Sequence, residues 1–159
     1  MDIYLVRHGK SAHDPQKWRT DAERPLSAKG TTRQHAVARG MVRQGIHYDH
    51  VWVSPFLRAQ QTLEVIQQEF GTEIEPVIVE QLEVWGDPRV VKSRLDDLAN
   101  QSPSINLLVV GHNPNLSDLV WHLTNQHLNL STSDIVHIRS TSSGYDLVAY
   151  YPRDDLIKN

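Results

Sequence analysis

Short apolar runs alternate with helical segments along this chain, and that alternation restricts the fold more than any other feature. The apolar runs are strand-like in length and composition, and they cover residues 2–6, 50–54, 76–79 and 105–110. Segments with apolar residues at three- to four-residue spacing lie between them and predict helices over 27–44, 56–70, 87–98 and 115–124. Strands that alternate with helices form a mainly parallel, doubly wound sheet, so we predict an α/β fold, a three-layer α/β/α sandwich with helices on both faces.

Three further features complete the expected architecture. Ile105 to Val110 is the most apolar run and predicts the central strand. Two alternating segments, 135–139 and 145–151, flank a turn that contains Gly144 and predict a C-terminal hairpin. The polar stretch 13–25 lacks either period and predicts a long loop, of a kind that is often functional. The length of 159 residues favours one domain, 1–159.

Composition excludes several classes of protein. The net charge of -3 argues against a broad basic surface for nucleic acid. The absence of cysteine removes disulfides, thiolate nucleophiles and cysteine-based metal sites. No apolar run approaches the roughly 18–20 residues that a membrane span needs, and the N-terminus lacks the pattern of a signal peptide. We therefore expect a cytoplasmic protein without a nucleic-acid or membrane partner.

Three of the predicted strands end in cationic or imidazole side chains. Arg7 and His8 follow the first strand, Arg58 lies in the first turn of the helix after the second, and His112 follows the central strand. In open α/β sheets, ligands bind beyond the carboxyl ends of the strands. Two arginines and two histidines at that edge predict an anion site, and phosphate is the natural anion.

Each of these residues has a simpler interpretation when it is taken alone. An arginine after a strand is more often solvated than bound to a ligand, and a histidine there more often has a structural role. The case for a site depends on their occurring together at three strand ends.

The residues at these strand ends resemble the histidine phosphatase superfamily, which includes phosphoglycerate mutases and acid phosphatases. Its signature Arg-His-Gly stands at 7–9, and the other matching motifs follow in order over about residues 1–155. They are Lys10-Ser11, Arg24-Pro25-Leu26-Ser27 with Gly30, Ser54-Pro55, Leu57-Arg58-Ala59, Gln61-Thr62, Val110-Gly111-His112-Asn113-Pro114 and Pro152-Arg153-Asp154. Their order and spacing are similar to those of the short SixA-type branch, the phosphohistidine phosphatases. The resemblance implies a phosphoglycerate mutase-like fold.

The resemblance also implies a mechanism without a metal or cofactor. His8 would be the nucleophile, attacking phosphorus to form a phosphohistidine that water then cleaves. Its ring must be neutral, and a hydrogen bond from its other nitrogen, for example to the Gly9 carbonyl, would fix the tautomer. Arg7, Arg58 and His112 would hold the phosphoryl oxygens. Arg24 is a further candidate phosphate ligand, with a salt bridge at the entry of the helix as its alternative role.

One element of the family pattern departs here. Relatives that cleave phosphate esters carry a glutamate, acting as an acid, at the position that corresponds to Val84. Glu83 is one residue out of register, and Asp87 reads equally well as the N-cap of the next helix. Imidazole, whose conjugate acid has a pKa of about 6.5, is a leaving group that departs without a strong acid nearby. An alkoxide is a poor leaving group and needs a proton donor. The substitution favours phosphohistidine as substrate, although Asp14 or Asp21 in the long loop could supply an acid.

The expected partner is accordingly a phosphorylated protein, or else a small phosphorylated substrate. A phosphatase for small phosphate esters, with Glu83 or Asp87 as the acid, and a catalytically silent phosphate-binding module remain alternatives. A metal site is disfavoured, because the nine histidines include no recognisable ligand motif. A response-regulator receiver would need acidic residues after the first strand, where this chain has Arg7 and His8.

Overall fold

One six-stranded sheet forms the middle of the computed structural model, which describes residues 1–14 and 16–158. The strands are β1 (Asp2–Arg7), β2 (His50–Val53), β3 (Val77–Ile78), β4 (Asn106–Gly111), β5 (Ile135–Thr141) and β6 (Gly144–Tyr151). Their order is β3-β2-β4-β1-β5-β6. The first four in that order are parallel, and β5 and β6 add an antiparallel hairpin. The mainly parallel sheet, the central position of β4 and the C-terminal hairpin are thus confirmed.

The helices begin and end at residues that suit their positions. They are α1 (Ala28–Arg43), α2 (Leu57–Phe70), α3 (Pro88–Gln101), α4 (Asn115–Thr124) and α5 (Arg153–Ile157), with 3₁₀ turns at Asp21–Glu23 and Glu80–Leu82. Ser27 caps α1, its Oγ accepting from the Gly30 amide at 2.9 Å. Asp87 caps α3 by accepting from the Arg89 amide. Gly71 ends α2 with a φ of 68°, in the left-handed region that glycine adopts without cost.

Helices cover both faces of the sheet, which confirms the three-layer sandwich. Because side chains alternate along a strand, β4 contributes Leu107 and Val109 to one core and Leu108 and Val110 to the other. The first core is completed by apolar residues of α3 and α4, and the second by those of α1, α2 and α5. All four β4 side chains are fully buried, so the strand is fixed from both sides.

The structure departs from the sequence prediction at two elements. β3 is shorter than the predicted 76–79 run, and its two residues are exposed at the edge of the sheet. The short helix α5 was not predicted, because five residues are too few to show a helical period. It packs against α1 at Gly40, where a Cβ atom would lie 2.1 Å from the carbonyl oxygen of Leu156.

None of the helices in the described part of the chain is both long and apolar enough to cross a membrane.

Candidate active site

The register of the sheet brings three strand ends level with one another. β1 and β4 pair in register up to their last residues, Arg7 and Gly111. One step further, the His8 amide donates to the Gly111 carbonyl at 3.0 Å. On the other side of β4, the Ser54 amide donates to the Val110 carbonyl at 3.0 Å. The residues that follow β1, β2 and β4 therefore meet at the carboxyl edge of the sheet.

A cleft of about 400 Å³ lies at this edge. The five residues that the sequence analysis proposed for catalysis or phosphate binding all line it: Arg7, His8, Arg24, Arg58 and His112. His8, Arg58 and His112 are buried at 6%, 2% and 0% exposure, and the two imidazole centroids lie 4.8 Å apart. The structure thus brings together side chains that are more than a hundred residues apart in the chain.

The His8 ring is fixed by the bond that the sequence predicts. Its Nδ1 donates to the Gly9 carbonyl at 2.6 Å, and the Gly9 amide in turn donates to Thr62 Oγ1 at 3.0 Å. Because Nδ1 carries the hydrogen, Nε2 keeps its lone pair. Burial and the charges of Arg58 and Arg7 lower the pKa of His8 to about 4, against the opposing effect of the bond to Gly9. His8 is therefore neutral at pH 7, with a nucleophilic Nε2.

His112 takes the opposite tautomer. Its Nε2 lies 2.8 Å from Ser54 Oγ, and that oxygen already accepts from the Phe56 amide at 3.1 Å. Among its described partners, His112 Nε2 is the one that can accept the Ser54 hydroxyl hydrogen, because the Phe56 amide is itself a donor; this places the His112 hydrogen on Nδ1. Burial, His8 and Arg58 lower the pKa of His112 to about 2, so this ring is also neutral. His112 is thus a neutral donor through Nδ1.

Buried donors in the cleft lack partners. Within residues 1–14 and 16–158, five buried side-chain polar atoms have no hydrogen-bond partner, and three of them belong to this cleft. They are Arg7 Nε, Arg58 Nε and His112 Nδ1, and each carries a hydrogen. Buried donors are almost always satisfied in folded proteins. Three of them together fit a ligand that offers several acceptor oxygens, as a phosphoryl group does.

The carboxylate of Asp21 lies against the arginine side chains. Arg58 Nη2 is 3.0 Å from Asp21 Oδ2, and Arg24 Nη2 is 3.1 Å from Asp21 Oδ1. Burial acts to raise the pKa of Asp21, but the hydrogen bond and charge of Arg58, with Arg24, outweigh it and lower the pKa. Asp21 is therefore ionised here. Arg24 lines the cleft, and it also forms this salt bridge to Asp21 near the start of α1.

The other candidate acids lie elsewhere. Val84 lines the cleft, whereas Glu83 and Asp87 are not among its lining residues. Asp87 caps α3 and forms an ion pair with the Arg89 guanidinium at 3.1 Å. Asp14 lines a neighbouring hollow, so Asp21 is the loop acid that reaches this cleft. As the register argument from the sequence predicted, the residue of this segment that lines the cleft is the apolar Val84 and not the acidic Glu83.

Three supporting residues gained no role from the sequence alone. Ser54 orients His112, Thr62 holds the Gly9 amide, and Asn113 Nδ2 donates to the Leu130 carbonyl at 2.8 Å. That carbonyl also accepts from Arg7 Nη1 at 2.7 Å. Each lies inside a motif that resembles the family pattern, and that motif was the sequence signal for it. The hydrogen-bond partners are distant in the sequence, so the sequence did not predict these contacts.

In the part of the chain that the structure describes, no three histidine or acidic side chains gather as a metal-binding group. The cleft itself is lined mainly by cationic, imidazole and hydroxyl groups, a set that suits an anion rather than a cation.

We expect the low pKa of His8 to reduce stability in acid. The pKa is 6.5 in the unfolded chain and about 4 in the folded protein. Below pH 6.5 the unfolded chain therefore binds a proton that the folded protein does not. The free energy of unfolding should fall by about 3 kcal/mol as the pH decreases from 6.5 to 4 because of this residue.

Urea unfolding at pH 7 and pH 4.5 measures this loss, with His8→Asn as the matched variant. Asparagine keeps an amide donor for the Gly9 carbonyl but has no group that titrates in this range. The wild type should lose more stability than the variant between the two pH values. Equal losses would show that His8 titrates at its ordinary pKa.

Comparison with known proteins shows similarity over nearly the whole chain. A family model described as the histidine phosphatase superfamily (branch 1) matches residues 3–84. An uncharacterised protein of Picosynechococcus is 33% identical over 145 residues, covering 88% of this chain and 86% of that protein. The phosphohistidine phosphatase SixA of Escherichia coli is 32% identical over 123 residues, covering 77% and 74%. A solved structure of the protein histidine phosphatase SixA complexed with tungstate matches with a TM-score of 0.90 and 28% identity, covering 98% and 99%.

Proposed function

Because this chain belongs to the histidine phosphatase superfamily (branch 1), we propose that it is a metal-independent phosphatase that acts on phosphohistidine in proteins. The reaction passes through a covalent phosphohistidine on His8. One observation carries this proposal: a neutral His8, with its hydrogen held on Nδ1 by Gly9, shares a cleft with three buried donors that have no partner among the described residues. The general activity in this proposal, that of a phosphatase, follows from family membership and from similarity to SixA.

In the first step, Nε2 of His8 attacks the phosphorus atom in line with the bond that breaks. A new P–N bond forms to His8, and the P–N bond to the substrate imidazole is broken. The leaving nitrogen takes the electron pair of that bond and a proton from solvent. Because the pKa of His8 is lowered to about 4, its lone pair is available at neutral pH without a separate base.

Arg7, Arg58 and His112 hold the phosphoryl oxygens during this transfer. The two guanidinium groups supply positive charge and N–H donors, and His112 supplies Nδ1–H. Arg24, at the mouth of the cleft, is a fourth ligand in this proposal. The phosphoryl group replaces the Asp21 carboxylate as the partner of the Arg58 fork, since both are anions that accept two parallel hydrogen bonds.

In the second step, water attacks the phosphorus atom of phosphorylated His8. A P–O bond forms as the P–N bond breaks, and Nε2 keeps the electron pair of the broken bond. Inorganic phosphate leaves with the water oxygen, and the protons of that water stay on the phosphate or pass to solvent. The same donors hold the oxygens, so one cleft serves both steps.

The leaving group determines the substrate class. Val84 occupies the position where ester-cleaving relatives carry an acid, and Glu83 and Asp87 do not line the cleft. Imidazole, whose conjugate acid has a pKa of about 6.5, leaves readily once it is protonated. An alkoxide requires a strong proton donor to leave. This supports a P–N bond as the one cleaved. The relative SixA is described as a phosphohistidine phosphatase, which agrees with this choice.

A matched pair of peptides tests the proposal, one carrying phosphohistidine and the other phosphoserine at the same position. With a chelator present, we expect kcat/KM to be at least about 100-fold higher for phosphohistidine, since general-acid catalysis contributes about that much or more to ester cleavage. Faster cleavage of phosphoserine would favour the ester phosphatase. Phosphate binding without turnover would favour the silent module. Activity restored only by a divalent metal would exclude the metal-independent mechanism.

A further inference from the structure

Trp85 is the most exposed large apolar side chain of the described residues, at 84% exposure. It directly follows Val84, which lines the cleft that holds His8. An indole ring so exposed leaves nearly all of its apolar area in water, at a cost that burial against a partner would recover. Its backbone is therefore next to a residue of the cleft, although the indole itself is not among the residues that line the cleft.

The loop that carries Trp85 is held firmly in place. Asn115 Nδ2 donates to the carbonyls of Gln81 and Glu83 at 2.6 and 3.0 Å, and the Asp87 amide donates to Gln81 Oε1 at 2.7 Å. At Gly86, a Cβ atom would lie 1.9 Å from the Gln81 carbonyl oxygen, so only glycine allows this close approach. The exposure of Trp85 is therefore a fixed feature of the loop. A side chain presented on a fixed backbone loses little further freedom when it binds.

The burial of His8 indicates which part of a substrate would reach Trp85. The His8 side chain is buried at 6% exposure, so a phosphohistidine must enter the cleft for its phosphorus to meet Nε2. The protein surface that carries the phosphohistidine is then brought close to the segment of Val84 and Trp85, where the exposed indole is available to pack against it. A free phosphohistidine brings no such surface with it.

We propose that Trp85 is a docking residue for the protein that bears the phosphohistidine, packing against apolar side chains that surround the phosphorylated residue on that protein's surface. This inference rests on the proposed function. It assigns Trp85 a specificity role, because the residue favours protein-borne over free phosphohistidine without touching the phosphoryl group. Tryptophan is among the residues that contribute most to binding in protein interfaces.

Kinetics on two substrates test this role. The first substrate is a small helical protein with two leucines one turn from its one histidine, phosphorylated with phosphoramidate, and the second is free N-phosphohistidine. For Trp85→Ala we expect kcat/KM on the helical protein to fall about tenfold or more, mainly through KM. On free phosphohistidine the change should stay below about twofold. Trp85→Phe should retain most of the activity on the protein, since the ring is kept.

Trp121→Ala is the matched control, because Trp121 is also an exposed indole, at 38%, but lies near the far end of α4. It should leave both substrates unaffected. Replacing the two leucines of the probe by serine should cause the same loss as Trp85→Ala, and the two changes should not add, since they remove one contact.

The docking role is overturned if Trp85→Ala leaves the helical protein unaffected, or if both substrates lose activity equally. The second result would mean that the loop shapes the cleft rather than the interface. A wild-type enzyme that cleaves esters but neither phosphohistidine substrate would refute the proposed function itself, and the docking role with it. That outcome is recognised from the wild type alone, before any variant is compared.

Discussion

The His8→Ala variant is expected to lose turnover and the covalent intermediate together. Removal of a nucleophile typically reduces kcat by about 10⁴-fold or more, because the groups that remain stabilise a transition state that can no longer form. After mixing with a radiolabelled phosphoryl donor, in the presence of a chelator, the wild type should carry label. The label should be stable in base and labile in acid, as expected of a P–N bond, and the variant should carry none.

His50→Ala is the matched control for this experiment. His50 is an exposed histidine at the start of β2, at the opposite end of the strand from the cleft. Its loss should leave labelling and turnover near wild-type values, and circular dichroism should show that both variants fold. If His8→Ala still became labelled, the phosphoryl group would have to reside on another residue, and the assignment of His8 would be wrong.

The Arg58→Ala variant is expected to lose about 10²- to 10³-fold in kcat/KM. Arg58 is buried, and its Nε has no partner within residues 1–14 and 16–158, so its loss removes positive charge and a donor from the base of the cleft. A loss of this size is typical when one group that stabilises a developing negative charge is removed. Arg58→Lys should recover only part of the activity, because lysine restores the charge but not the planar fork.

Inhibition by inorganic phosphate separates binding from transition-state stabilisation in these variants. We expect Arg58→Ala to weaken phosphate binding less than it reduces kcat/KM, since charge is redistributed in the transition state. The control is Arg89→Ala, which removes an exposed guanidinium that pairs with Asp87 outside the cleft. An unchanged kcat/KM in Arg58→Ala would exclude this side chain from the phosphoryl site.

The sequence predicted the architecture because the relevant signals are local. A run such as Ile105 to Val110 has to be buried on both faces, and both cores indeed take alternate residues from β4. The starts of α1 and α3 were likewise predictable from Ser27 and Asp87, which accept hydrogen bonds from amides three and two residues further along the chain. The short helix α5 escaped prediction because its stability comes from packing against α1 at Gly40.

The grouping of these candidate residues in one cleft was also accessible from the sequence. Arg7, His8 and His112 lie just after predicted strands, and Arg58 lies in the first turn of the helix that follows another. The rule that ligands bind at the carboxyl edge of the sheet was therefore sufficient to group them. The predicted bond between His8 and the Gly9 carbonyl is present, because it joins neighbours in the chain.

What only the tertiary structure decided is the chemical state of these groups. The tautomer of His112 depends on Ser54, which is 58 residues away, and the fork of Arg58 is held by Asp21, 37 residues away. The low pKa of His8 results first from burial, which no short stretch of sequence specifies. Sequence determines which side chains stand at the strand ends, since strands are local. Protonation and hydrogen-bond partners depend on dehydration and on distant segments, and these exist only once the chain has folded.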